Sequence, residues 1–118
     1  MGVYDYHQLD VWKKGMEICQ KAYIVTHPFP KEEIYGLTAQ IRRAASSIPA
    51  NIAEGFGRKS NNDFKRFLKI ATGSLLELET HIEIACRLNY CRSDEAANLF
   101  EETNSLGKML NRFVHNMR

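Results

Sequence analysis

The chain has 118 residues, of which 44% are apolar and 25% charged, and its formal net charge is +2. This balance is typical of one globular domain, residues 1–118, and excludes a disordered chain. The longest uncharged stretch, residues 44–53, is too short and too polar to cross a membrane, and the first residues lack the features of a secretory signal.

Apolar residues recur at helical spacing along the whole chain, and no alternating strand pattern or hairpin turn occurs. The first helix is predicted over residues 9–26. It ends at His27-Pro28-Phe29-Pro30, because proline disfavours the helical conformation in the residue before it. The predicted core face of this helix holds five side chains: Leu9, Trp12, Met16, Cys19 and Tyr23.

The second helix is predicted to open at Glu32 and Glu33, whose charges suit the positive end of the helix dipole, and to end around Gly57. Its predicted core face holds Ile34, Leu37, Ile41, Ala45, Ile48, Ile52 and Phe56. Pro49 removes the amide that would bond the Ala45 carbonyl, so we expect the helix to bend there.

The third helix is predicted to begin with a capping pair, Ser60 and Asp63, and to run for nearly 30 residues, or about 45 Å. The fourth is predicted from Ser93 to about Met117. Short connections between long amphipathic helices make neighbours antiparallel. The expected fold is therefore all-α, an antiparallel up-down-up-down four-helix bundle. The predicted core of its last two helices is Phe64, Phe67, Leu68, Ala71, Leu75, Leu78, Ile82 and Ala85, then Leu99, Leu106, Leu110, Phe113 and Met117.

Several helices carry apolar or small residues on a second face, which a monomeric bundle does not need. We expect this outer face to join copies of the chain into a homo-oligomer. Its predicted contact residues are Val11, Ile18 and Val25 on the first helix and Ala39, Ser46, Ala50 and Ala53 on the second. Leu76 and Ile84 on the third helix, and the glycines at positions 15, 36, 73 and 107, are also predicted to face outward. Scattered surface hydrophobes are the alternative interpretation.

Charge is unevenly distributed along the chain. Between Arg42 and Lys69, seven basic residues oppose two acids, a local charge of +5, whereas residues 70–106 have a local charge of −5. The basic set is a candidate to neutralise the phosphates of structured RNA or DNA without reading base sequence. Its members are Arg42, Arg43, Arg58, Lys59, Lys65, Arg66 and Lys69. The alternative is that these charges serve only solubility.

No pattern in the sequence predicts catalytic residues, a metal site or a cofactor. Glu77 and His81 share a helix face, but a solvated polar face is the favoured interpretation. The glycines at positions 55 and 57 are expected to end the second helix, since they lack the spacing of a phosphate loop. The three cysteines, Cys19, Cys86 and Cys91, have no metal-ligand spacing, so reduced thiols and a cytoplasmic location are expected.

Six segments together resemble a known family. They are residues 9–12 (LDVW), 29–30 (FP), 35–44 (YGLTAQIRRA), 47–55 (SIPANIAEG), 67–68 (FL) and 73–80 (GSLLELET). Over nearly the whole chain, this pattern resembles the bacterial four-helix-bundle proteins called 23S rRNA intervening-sequence proteins. Where relatives usually have glutamine after the last segment, this chain has His81. The resemblance therefore gives no support to a metal role for that histidine.

That family is in turn similar to the accessory protein of diversity-generating retroelements, a homopentameric barrel with basic surfaces that works with a reverse transcriptase and its RNA. The resemblance implies a homopentamer, a nucleic-acid partner and a reverse transcriptase as a further candidate partner. We therefore expect a non-catalytic adaptor that presents a basic surface to structured RNA or DNA. The alternative is a protein-binding scaffold whose basic residues only pair with acids of the third and fourth helices.

Overall fold

Four helices dominate the computed structural model, which describes residues 4–117. They are α1 (Asp10–Thr26), α2 (Leu37–Gly57), α3 (Asn61–Arg87) and α4 (Ser93–His115). Each helix packs against the next, and α4 packs against α1, in a bundle of 46 × 24 × 19 Å. No strand occurs among the described residues. The predicted all-α four-helix fold is confirmed, while residues 1–3 and 118 of the predicted domain lie outside the described part.

The start of α2 differs from the prediction. Residues Lys31–Glu33 form a separate 3₁₀ turn, and α2 begins only at Leu37. Glu33 lies in front of the helix and accepts a hydrogen bond from the Leu37 amide at 3.0 Å. A side chain on Gly36 would place its Cβ 2.7 Å from the Glu33 carboxylate, so this glycine makes room for that cap. Ile34, predicted to lie in the core, is 55% exposed because it precedes the helix.

In α1 the most buried face differs from the one predicted, although Leu9 is buried just before the helix, and Trp12 and Cys19 are partly buried against the core. Val11, Ile18 and Val25 are only 3%, 0% and 3% exposed and belong to the core of the single chain. Met16 and Tyr23, predicted to be buried, are 46% and 44% exposed. The prediction that Val11, Ile18 and Val25 form an outer contact face is therefore wrong.

Small residues explain which face of α1 is buried. Gly15 and Ala22 lie on the same face as the buried valines and isoleucine, and both are buried. A Cβ at Gly15 would lie 3.3 Å from Ile48 Cγ2 and 3.5 Å from Pro49 Cβ. The absence of a side chain therefore lets α2 approach α1 closely, and Gly15 does not face outward as predicted.

The other core predictions agree better with the structure. The buried aliphatic side chains of α2, α3 and α4 include Ile41, Ile48, Ile52, Leu68, Leu75, Leu78, Ile82, Leu99, Leu106 and Leu110, all predicted. Leu76 and Ile84 are 58% and 41% exposed, which confirms that they face outward. The Ser60 hydroxyl accepts from the Asp63 amide at 3.4 Å, which confirms the predicted cap of α3.

A glycine also allows α2 and α3 to make close contact. A Cβ at Gly55 would lie 2.5 Å from Phe67 Cβ and 3.1 Å from Phe64 Cδ1. Real Cβ atoms do not approach other atoms this closely, so a larger residue would push the two helices apart. Gly73, in the middle of α3, has nothing within 4 Å of the equivalent position.

We expect Gly55→Ala to lower the free energy of unfolding by about 1–3 kcal/mol, because overpacking outweighs the better helix propensity of alanine. Gly73→Ala is the matched control and should raise it by up to about 1 kcal/mol through helix propensity. Urea denaturation followed by circular dichroism measures both. A stabilised Gly55→Ala variant would contradict the close contact with Phe67.

Candidate nucleic-acid interface

The turn between α2 and α3 gathers four of the seven predicted basic residues. Arg58 and Arg66 place their guanidinium carbons 5.0 Å and 4.9 Å from the centroid of the Phe67 ring. Phe67 itself is 7% exposed, as predicted for a core residue. Lys59 lies in the turn with a positive φ of 62°, and Lys65 follows on α3. The ring thus fixes two cations at one end of the bundle, at distances typical of cation–π contacts.

Ion pairs leave much of this charge available. Arg58 pairs with Glu54 at 2.9 Å and Arg66 with Asp63 at 3.6 Å. In each pair both side chains are about half exposed or more, so solvent screens the attraction. Within residues 4–117, the lysines at positions 59, 65 and 69 form no ion pair.

Lys69 is joined by a residue that the sequence prediction missed. Lys69 and Lys108 line one groove of about 460 Å³ between α3 and α4. The end of α4 faces the start of α3, as shown by the Phe64 and Phe113 rings, whose centroids are 5.6 Å apart. Arg112 lies one turn beyond Lys108 on α4. The antiparallel order of the helices could have predicted that Lys108 and Arg112 join this region, because it places positions 108–112 beside 64–69.

We call this region the basic end and define it by Arg58, Lys59, Lys65, Arg66, Lys69 and Lys108. An adjoining groove, toward the other end of the bundle, is lined by Glu79, Glu83 and Glu101. Glu79 accepts a hydrogen bond from the Thr103 hydroxyl at 2.7 Å, which ties α3 to α4 there. The α3–α4 surface therefore changes from basic to acidic along its length.

Arg42 and Arg43 do not belong to the basic end. Arg42 precedes Arg58 by 16 residues along α2, a helical rise of about 24 Å. Its Nε donates to the Thr26 hydroxyl at 2.9 Å, and its guanidinium lies 4.7 Å from the centroid of the Tyr23 ring. The structure therefore divides the seven predicted residues into two groups at opposite ends of α2.

The predicted outer residues of α2 do lie at the surface. Ser46 and Ala50 are exposed, and Ala39 and Ala53 are half-buried. The exposed stripe of α1 lies beside them, since Tyr23 of this stripe contacts Arg42 of α2. In that stripe Met16 is exposed, and Trp12 and Cys19 are half-buried. We call this surface the α1–α2 outer face and define it by Trp12, Met16, Cys19, Ala39, Ser46, Ala50 and Ala53.

Two of the segments that resemble the known family pack against each other. The Ser47 and Ser74 hydroxyl oxygens are 2.8 Å apart and share a hydrogen bond between α2 and α3. Asn51 Nδ2 donates to the Ser47 carbonyl and hydroxyl oxygens at 2.8 Å and 2.9 Å. Pro49 is buried beside Gly15, within a helix that continues past it. These motif residues hold the helices together and leave the basic residues on the surface.

The histidine, cysteine and acidic side chains of residues 4–117 do not gather into a metal-binding cluster. No three histidine, cysteine, aspartate or glutamate side chains there lie close enough to hold a metal ion. His81 Nε2 is 3.3 Å from Glu77 Oε2. The Cys86 and Cys91 sulfurs are 3.8 Å apart, and burial, together with the contact to Cys86, raises the pKa of Cys91 to about 12. That thiol stays protonated near neutral pH and is a poor nucleophile.

The helical order and packing define the class: an all-α four-helix-bundle protein with a basic end. The model of the 23S rRNA-intervening sequence protein family matches residues 7–112, and the chain belongs to this family. No described helix is long and apolar enough to span a bilayer.

The fold is similar to the crystal structure of a protein of unknown function from the S23 ribosomal protein family of Bacteroides thetaiotaomicron. The TM-score is 0.79 with 24% sequence identity, and the match covers 88% of this chain and 97% of that one. At this identity the likeness shows the fold alone. A comparison with curated proteins finds no match. Neither the family description nor the description of this structure names an enzyme activity.

Proposed function

We propose that this protein is a non-catalytic, homo-oligomeric adaptor of the cytoplasm that presents its basic end to structured RNA or DNA. One observation carries the proposal: three lysines that form no ion pair within residues 4–117 lie at the same end of the bundle as two arginines held on the Phe67 ring. Such a group of cations gains free energy by releasing counterions from a phosphate backbone.

The mode of binding follows from the side chains. Phe64 and Phe67 pack inside the bundle, so no aromatic ring of this pair is available to stack on an unpaired base. The lysines are point charges on flexible stems and do not read base edges. Binding should therefore follow the shape and charge of a duplex or folded RNA, with little sequence preference.

Self-association is supported by the α1–α2 outer face. Met16 is 46% exposed, and the adjacent small side chains of α2, among them Ser46 and Ala50, allow a second backbone to approach. The family resemblance implies five subunits and a reverse transcriptase as a further partner. A ring of subunits would repeat the basic end, so that several weak phosphate contacts add through effective concentration.

The scaffold alternative requires the basic residues to be occupied by acids of α3 and α4. The ion pairs at the basic end give it limited support, because Arg58 pairs with Glu54 of α2 and only Arg66 pairs with an acid of α3, Asp63. Glu102 of α4, whose side chain is 20% exposed, pairs instead with Lys14 and Lys21 of α1 at 2.9 Å and 3.3 Å. These lysines hold the pKa of the Glu102 carboxyl below its usual value.

The binding proposal is tested by changing Arg58, Lys59, Lys65 and Arg66 together to glutamine, which removes four charges and leaves neutral polar side chains in their place. We expect the variant to lose most of its affinity for a short RNA duplex, measured by fluorescence anisotropy across a salt series. The slope of log affinity against log salt should become shallower by about 3.6 per subunit, or about 0.9 for each of four phosphate contacts.

A control variant with glutamine at Lys13, Lys31, Arg43 and Arg87 loses the same net charge from four exposed positions that all lie outside the basic end. It should retain most of the affinity, and its affinity should depend more steeply on salt than that of the variant with four glutamines at the basic end. Equal weakening of both variants would assign binding to net charge alone. Absence of binding by the wild type at low salt would favour the scaffold alternative.

The assembly proposal is tested by native mass spectrometry and light scattering, with five subunits expected for the wild type. Ala50→Arg should dissociate the oligomer and leave helical content unchanged, because it adds bulk and charge to the α1–α2 outer face. Thr80→Arg, on the exposed surface of α3, is the control and should stay assembled. A monomeric wild type would refute the proposal, and an assembled Ala50→Arg variant would show that α2 is not the contact.

A further inference from the structure

A second cationic feature lies at the end of the bundle away from the basic end. A cleft of about 760 Å³ opens where α1 ends and where α2 and α4 begin. Residues that line this Arg42 cleft include Tyr23, Ile24, His27, Arg42, Arg92 and Glu95. Its volume falls within the range of small-ligand sites, roughly 300–1,000 Å³.

Arg42 is held in place within this cleft. Thr26, only 2% exposed, donates its hydroxyl proton to the Ala22 carbonyl at 2.8 Å and accepts from Arg42 Nε at 2.9 Å. The Tyr23 ring supports the guanidinium from one side at 4.7 Å. The two terminal nitrogens of Arg42 have no hydrogen-bond partner within residues 4–117. A fixed guanidinium with both terminal nitrogens available suits bidentate binding of an oxyanion.

The surroundings of Arg42 favour an anion that carries a flat apolar group. Arg92 is a second guanidinium in the cleft, and its contact with Asp94, at 3.4 Å, is exposed and screened. Asp94 offsets the charge of Arg92 and Glu95 adds a second carboxylate, so Arg42 is the guanidinium of the cleft that forms no ion pair within residues 4–117. Tyr23 and Ile24 are 44% and 57% exposed and offer an apolar wall beside the cations.

We propose that the Arg42 cleft binds a mononucleotide, with its phosphate held by Arg42 and Arg92 and its base against Tyr23 and Ile24. Such a group can be a free nucleotide or the unpaired terminal nucleotide of an RNA. The cleft is separated from the basic end by most of the length of α2. Nucleotide binding in the cleft therefore does not depend on duplex binding at the basic end.

Amide NMR titrations of the full chain with AMP, adenosine and inorganic phosphate test the proposal. AMP should shift the signals of the cleft residues saturably, with adenosine and phosphate each binding at least tenfold more weakly. Arg42→Gln should weaken AMP binding about 10–100-fold, since a charge-assisted hydrogen bond is lost. Arg43→Gln, the neighbouring exposed arginine outside the cleft, is the control and should bind AMP like the wild type.

Thr26→Val should weaken binding less than Arg42→Gln, because it removes the Nε acceptor and leaves the guanidinium present. The variant with four glutamines at the basic end should keep its AMP affinity, which separates this site from the proposed function. Competition between AMP and single-stranded RNA identifies the source of the nucleotide. The two competitors are the same RNA with and without a 5′-phosphate. If only the phosphorylated RNA displaces AMP, the ligand is a strand terminus, and if neither RNA displaces AMP, the ligand is a free nucleotide.

Three results would overturn the proposal. One is the absence of saturable shifts with AMP at millimolar concentration. Another is equal weakening by Arg42→Gln and Arg43→Gln, which would show general electrostatic attraction. The third is a change of oligomer mass in Arg42→Gln together with unchanged AMP binding, which would assign Arg42 to contact between copies of the chain.

Discussion

The contact between Gly55 and Phe67 determines how the charged surface is arranged at one end of the molecule. A Cβ at Gly55 would lie only 2.5 Å from Phe67 Cβ, so the last turns of α2 lie directly on the start of α3. Arg58, three residues after the glycine, and Arg66, one residue before the phenylalanine, then reach the same ring. A packing requirement between two helices thereby brings together cations from both sides of a turn.

The same kind of contact explains what could be predicted from sequence and what could not. Helical period, the proline-rich break after α1 and the Ser60 cap give the number, order and approximate limits of the helices. In α1, however, two apolar stripes repeat with the same period, and periodicity alone does not say which of them is buried. Gly15 and Ala22 mark the buried stripe, because small residues allow the backbone of α2 to approach.

The candidate interface was only partly predictable for a related reason. A window along the sequence groups Arg42 with Arg58, although α2 separates them by about 24 Å. The same window omits Lys108, which the antiparallel return of α4 places in the groove beside Lys69. Local charge counts thus identified the sign of the surface, while the helical connectivity decided which cations share it.

Several of the residues that carry the family resemblance are engaged inside the bundle. Ser47 and Ser74 share a hydrogen bond between α2 and α3, Asn51 donates to Ser47 within α2, and Pro49 packs on Gly15. In this chain these residues hold α2 against α3 and let α1 approach α2 closely. The lysines of the basic end and the terminal nitrogens of Arg42 have no such structural partners within residues 4–117. The two proposed sites therefore depend on surface cations that helix packing positions at opposite ends of α2.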